Sequence, residues 1–212
     1  MAHMVHLLHV ALTMAVGALL AAQAFAWWVM APFPYEPLLS IRTTARLALA
    51  PKAKRIVIGD SRVEWARPTG EALFIGYGSA TLVHLERLTR TLCALSDAPV
   101  TIALGVNDAK PEEFDLAASL ASAERMVEAC KDDGVVLAGI WPVEPEVAPA
   151  GHLYDPAAIA ALDEGLNAIG RREQIPVLAA PELTGHTIDG VHFTEAVAAD
   201  YLHALAQAAR RP

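Results

Sequence analysis

An α/β fold is what this sequence of 212 residues predicts: a parallel sheet of about five strands covered by helices, preceded by one apolar N-terminal helix. Two observations carry that expectation. From Lys52 onward, short apolar runs rich in β-branched residues alternate with longer stretches that are apolar at every third or fourth position. Strands and helices in alternation imply a parallel sheet buried on both faces, with right-handed connections. Ahead of this lies a stretch of another kind. From Val5 to Met30, "VHLLHVALTMAVGALLAAQAFAWWVM" holds no Asp, Glu, Lys or Arg, and it exceeds the roughly 20 residues a bilayer crossing needs.

Taken in order, residues 1–31 read as a membrane anchor or signal segment. Trp27 and Trp28 close the run where an interfacial aromatic belt would sit. A cleaved signal is the competing reading, because Ala22-Gln23-Ala24 and Ala24-Phe25-Ala26 are both small-x-small sites. Arg42 and Arg46 follow the run, whereas only the amino terminus and His3, His6 and His9 precede it. Taken literally, that bias keeps the domain in the cytoplasm. It is slight, and large domains cross largely regardless of charge, so the expected site is the extracytoplasmic (periplasmic) side. Residues 32–51, opening with the proline-rich "APFPYEPLLS", read as a stiff linker with a short helix over 41–50.

The domain proper is expected over 52–212. Strands are expected at Arg55–Gly59, Ala72–Gly76, Val100–Leu104, Val135–Trp141 and Pro176–Ala179, and helices at Ser79–Leu95, Pro111–Asp132, Pro156–Arg172 and Thr194–Arg210. Leu116, Leu120, Ala123, Val127 and Cys130 mark one face of the second helix. Pro111 and Pro156 sit where a first helical turn begins. The irregular "VEPEVAPAGHLYDP" (143–156) reads as a rim or lid loop.

Composition closes off some functions. The net charge of −8 argues against a surface that tracks phosphates, so no nucleic-acid partner is expected. The short basic cluster "KAKR" (52–55) reads as a solvated edge. Cys93 and Cys130 lack Cys or His neighbours at zinc-ligand spacing, so no metal site is expected there. They are either buried free thiols or, outside the cytoplasm, a disulfide.

Four features fall at or just beyond expected strand ends, where groups converge in such sheets: "GDS" (59–61), "GYGSAT" (76–81), "GVND" (105–108) and "DGVH" (189–192). Ser61 is either a helix cap or a nucleophile awaiting a base. His192 is a candidate base, with Asp189 three residues earlier and Gly190 between them to permit a tight turn. His186 and Asp200 fit that role less well, the first lacking an acid at turn spacing and the second lying inside a helix. Asn107 offers a side-chain amide to an oxyanion, with backbone N–H groups of Ser61 and Gly78 as further donors and Gly76 as the alternative to Gly78. Asp60 either caps the next helix or braces the loops around Ser61. Arg62 and Trp141 are candidate cleft residues, Trp141 equally a core residue. Each motif alone is weak. Finding GDS, GxND and a late DxxH in that order by chance has odds of roughly one in a thousand or less, which decides against coincidence.

Together these blocks resemble the SGNH (GDSL-like) hydrolases over about residues 53–210. "GDS" resembles the first block with its serine nucleophile at Ser61, Gly78 the glycine of the second, "GVND" the third with Asn107, and "DGVH" the fifth with Asp189 and His192. Two positions depart: Arg62 stands where leucine is frequent, and the asparagine usual before the second-block glycine is missing. The resemblance implies a flavodoxin-like three-layer α/β/α fold. It also implies ester hydrolysis or acyl transfer by Ser61, Asp189 and His192, with Ser61, Gly78 and Asn107 as the oxyanion hole and no cofactor or metal. The leading expectation is a membrane-anchored small-acyl (acetyl) esterase on an envelope carbohydrate or lipid. An O-acyltransferase using a sugar hydroxyl and a non-catalytic carbohydrate-binding scaffold are the alternatives.

Overall fold

The computed structural model describes residues 2–33, 37–64, 72–112 and 114–208. Residues 34–36 of the expected linker, and 209 and 210 of the expected last helix, lie outside the described residues. The elements are α1 (Ala2–Met30), α2 (Pro37–Leu49), β1 (Arg55–Gly59), α3 (Ser61–Glu64), β2 (Ala72–Gly76), α4 (Leu82–Leu95), β3 (Val100–Ala103), α5 (Leu116–Cys130), β4 (Val135–Ala138), α6 (Pro156–Glu173), β5 (Val177–Leu178) and α7 (Glu195–Ala208).

The five strands form one parallel sheet in the order β2-β1-β3-β4-β5. Alternate side chains of each strand enter different cores, because successive residues point to opposite faces. Ile56, Ile58, Ile102 and Leu137 pack with α4, α5 and α6, and Val29 and Met30 of α1 and Leu39 and Leu47 of α2 join that core. Val57, Phe74, Ala103 and Ala138 pack with Tyr201 and Leu205 of α7 on the other face. Both faces are covered, which is why the strands read as unbroken apolar runs. The chain leaves β1 in one direction along the sheet and β3 in the other, so a crevice opens between their carboxyl ends.

Several boundaries differ from expectation, each for a local reason. The helix expected from Ser79 starts at Leu82, because Thr81 caps it: its hydroxyl accepts from the His84 N–H at 3.2 Å, and its own N–H donates to the His84 ring at 3.3 Å. Pro111 does not open a helix. Asp115 caps α5 by accepting from Ala118 N–H at 2.9 Å, and Leu116 is the first helical residue. Pro156 does open α6, with Asp155 as cap. The strand expected to reach Trp141 ends at Ala138, and the last strand keeps only Val177 and Leu178.

In residues 32–51, the expected short helix is present as α2, longer than expected, and it buries Leu39, Ser40, Thr43 and Leu47 in the domain. The Thr43 hydroxyl lies 2.7 Å from that of Tyr77, and Arg46 donates to the Gly76 carbonyl at 3.0 Å. Before it, α1 divides in two. Every side chain from His6 to Ala21 is exposed, whereas Ala26, Val29 and Met30 are buried. Gln23 donates to Thr44, Arg87 donates to the Trp28 carbonyl at 2.6 Å, and Phe33 meets His84 edge-on. The segment His6–Met30 is long and apolar enough to cross a membrane.

Candidate active site

β1 ends at Gly59, and the chain turns at once into the four-residue α3. Close packing permits this. A Cβ on Gly76 would lie 2.0 Å from the Glu64 nitrogen, so α3 can rest on β2 only over a glycine. Gly76, paired with Gly59 across the ladder, therefore serves packing. Asp60 organises the turn: its carboxylate accepts from Arg62 N–H at 2.8 Å, and its carbonyl accepts from Val63 and Glu64. Burial pushes the Asp60 carboxyl above its ordinary value, against the opposing pull of the Arg62 guanidinium. Ser61 opens α3 at the mouth of the crevice.

The turn 189–192 approaches from across the sheet. Gly190 has φ +96°, a conformation that suits glycine. One Asp189 oxygen accepts from the N–H groups of Val191 at 3.0 Å and His192 at 2.8 Å, and the other takes His192 Nδ1–H at 2.6 Å. That fixes the tautomer and leaves Nε2 as the acceptor, 3.0 Å from Ser61 Oγ. Partial burial raises the Asp189 carboxyl, but the His192 and backbone hydrogen bonds outweigh it, and the net direction is downward. The structure thus joins Ser61 to His192, 131 residues away in the chain, and to Asp189 in one hydrogen-bonded line.

Asn107 lies just beyond β3, 3% exposed, in a single 3₁₀ turn (Asn107–Ala109). Its amide donates to the Ala80 carbonyl at 3.1 Å and accepts from the Tyr154 hydroxyl at 3.2 Å. Asp108 accepts from Leu82 N–H and, at 2.7 Å, from the Ser119 hydroxyl, so it ties the starts of α4 and α5 to this turn. Burial lifts its carboxyl to about 6, against those hydrogen bonds. Gly78 sits in the turn after β2, where Ala80 N–H bonds back to Tyr77, and a Cβ there would stand 3.0 Å from a Glu64 carboxylate oxygen.

Three residues support these groups in ways the motifs did not reveal. Arg62, expected in the cleft, is buried. Its guanidinium donates to the carbonyls of Val191 at 3.0 Å, Trp141 at 2.7 Å and Pro142 at 3.2 Å, and lies 4.4 Å from the Phe193 ring centre. It therefore links the residue after Ser61 to both neighbours of His192. Trp141 is a core residue, packed on Phe193 and Tyr201. Glu144 accepts from the N–H groups of Gly185, His186 and Thr187 and from the Thr187 hydroxyl, which drives its carboxyl down to about 2, with the hydroxyl bond the largest cause. His186 is buried against the Pro142 carbonyl at 3.0 Å, and Asp200 is exposed on α7.

The 143–156 stretch is not a free lid. Glu144 N–H donates to the Gly190 carbonyl, Ala150 and Gly151 N–H to the Asp189 carbonyl, and Asp155 N–H to the Ala109 carbonyl. It is a strap fastened to the acid–base turn at one side and to the Asn107 turn at the other. Among the described residues, no group of three or more His, Cys, Asp or Glu side chains could hold a metal ion.

The chain matches no protein-family model and no curated protein. Solved structures do share its fold. A GDSL-like lipase from Bacteroides thetaiotaomicron is 24% identical, with TM-score 0.65 over 79% of this chain and 94% of that one. A lipase/acylhydrolase from Enterococcus faecalis is 21% identical, with TM-score 0.59 over 72% and 93%. A carbohydrate acetylesterase from Sinorhizobium meliloti is 16% identical, with TM-score 0.53 over 71% and 99%. The fold is that of the GDSL-like acylhydrolases.

Proposed function

We propose that the chain is a serine-dependent ester hydrolase of the SGNH family, working through an acyl-enzyme. One observation carries this: Ser61, His192 and Asp189 form a continuous hydrogen-bonded line at the crevice, with the Asn107 amide on the neighbouring strand end. His192 Nε2 takes the Ser61 proton as Oγ attacks an ester carbonyl. Asp189 holds the imidazole in the required tautomer and stabilises the imidazolium that forms. The N–H groups of Ser61 and Gly78 and the amide of Asn107 receive the oxyanion. His192 returns the proton to the leaving alcohol, then activates the water that frees the acid.

The substrate we assign is a small acyl ester, an acetyl group above all, on an envelope carbohydrate or lipid. The carbohydrate acetylesterase of the same fold supports the class. Location supports the setting. Cys93 and Cys130 are joined as a disulfide, a bond that persists in oxidising compartments.

The test is hydrolysis of p-nitrophenyl acetate by the full chain in detergent. Ser61→Ala should lose turnover by a factor on the order of 10⁴ or more. Full activity in that variant ends the proposal. A sugar acceptor in the same assay that diverts acetate into an O-acetyl sugar would assign acyl transfer in place of hydrolysis.

A further inference from the structure

We infer that Tyr154 is a positioning residue for the oxyanion hole, acting through Asn107; this rests on the esterase reading above. The amide group sets the terms. Asn107 presents one acceptor oxygen and a nitrogen with two hydrogens. Ala80 fixes which end is which, because its carbonyl accepts from Nδ2 at 3.1 Å and would repel Oδ1 in the flipped state. That contact alone leaves the amide plane free to tilt about the Nδ2···O line. The Tyr154 hydroxyl removes that freedom by donating to Oδ1 at 3.2 Å. With one hydrogen committed to Ala80 and the oxygen held by Tyr154, the direction of the second hydrogen is set by two fixed points. That hydrogen is the one the developing oxyanion would receive.

Tyr154 is itself immobilised, which a positioning role requires. It is 9% exposed, and its N–H bonds to the Gly151 carbonyl at 3.3 Å. The next residue donates to the Ala109 carbonyl at 3.2 Å, and Lys110 Nζ lies 5.7 Å from its ring centre. Three residues upstream, Gly151 N–H holds the Asp189 carbonyl at 3.1 Å. One strap thus sets the amide that meets the oxyanion and braces the turn that carries the acid. Preorganised donors matter because they need no reorientation as charge develops. A hydroxyl that locks such a donor should act on kcat and leave ground-state binding nearly untouched.

The experiment is a double-mutant cycle with Tyr154→Phe and Asn107→Ala, measured as kcat and KM on p-nitrophenyl acetate with the full chain. Tyr154→Phe alone should lower kcat roughly tenfold with KM within about twofold, a part of the 10²- to 10³-fold that loss of a whole donor costs. In the Asn107→Ala background the same change should cost less than about twofold, because the group being positioned is gone. An unchanged kcat in Tyr154→Phe overturns the inference. So does an equal loss in both backgrounds, which is what a general folding defect gives. A second readout needs no turnover. In 15N-labelled protein, the side-chain amide signals that vanish in Asn107→Ala should shift in Tyr154→Phe. Unmoved signals overturn the inference even if the wild-type chain proved to hydrolyse no ester, a result that would sink the esterase reading alone.

Discussion

Arg62 is the residue whose loss should be felt in both stability and turnover. It is 6% exposed, stands beside the buried Asp60 carboxylate and satisfies three backbone carbonyls. Arg62→Leu restores the apolar residue frequent after the serine in the resembling family, yet here it strands those carbonyls and leaves Asp60 without its cation. Removing one partner of a buried charge arrangement typically costs about 3–5 kcal/mol. Urea unfolding should report a loss of that order, and kcat should fall roughly 10- to 100-fold as the His192 turn loosens. Wild-type kcat in a folded Arg62→Leu would mean that the turn is held by other contacts. The sequence offered Ser61, Asn107, Asp189 and His192 as candidates because each sits in a short motif, GDS and GVND beside strand ends and DGVH ahead of the last helix. It marked Arg62 only as a cleft candidate, and it could not disclose the bracing contacts of Arg62, Glu144 and Tyr154. Their partners are backbone carbonyls, backbone N–H groups and one amide up to 129 residues away, and no local pattern encodes those contacts.

Among the elements, α4 and α5 form the most cross-linked pair. Cys93 and Cys130 join them across a sequence separation of 37, and Arg125 pairs with Glu86 at 2.7 Å. Loop-entropy reasoning gives a cross-link of that span about 4 kcal/mol. Cys93→Ser with Cys130→Ser, or reduction of the native protein, should therefore lower Tm by roughly 10 °C. A change below about 2 °C would mean that packing alone holds the pair. Asp108, in the Asn107 turn, also bonds Leu82 and Ser119 in the first turns of both helices, so loosening the pair should reach the crevice. Element type was legible wherever apolar periodicity was strong, and β1 and β2 fall at their expected limits. Helix starts were legible only in part: Pro156 opens α6 as expected, but α4 and α5 begin later than their patterns suggest. Proline at 111 matched a first-turn preference, but the Asp115 carboxylate, four residues on, won the start of α5.

On the scale of the whole molecule, the boundary between the exposed apolar turns and the domain runs through α1. Residues 6–21 face outward, and the following turns belong to the fold. A fragment beginning at Ala22 should stay in the supernatant with a Tm close to that of the full chain. One beginning at Ser40 removes Val29, Met30 and Leu39 from the core and should unfold at a distinctly lower temperature. The full chain should remain in the pellet after alkaline carbonate extraction of membranes. Equal Tm values for the two fragments would show that the docked turns add nothing. Composition revealed the apolar run but not this division, because Ala26, Val29 and Met30 are as apolar as the residues before them.

The seating of those last turns also imposes a timetable. A peptidase accepts its substrate as an extended strand, whereas the bonds after Ala24 and Ala26 lie in unbroken helix, the second of them beside the buried Ala26. Scission there must outrun folding: a chain that folds first hides its own cut site.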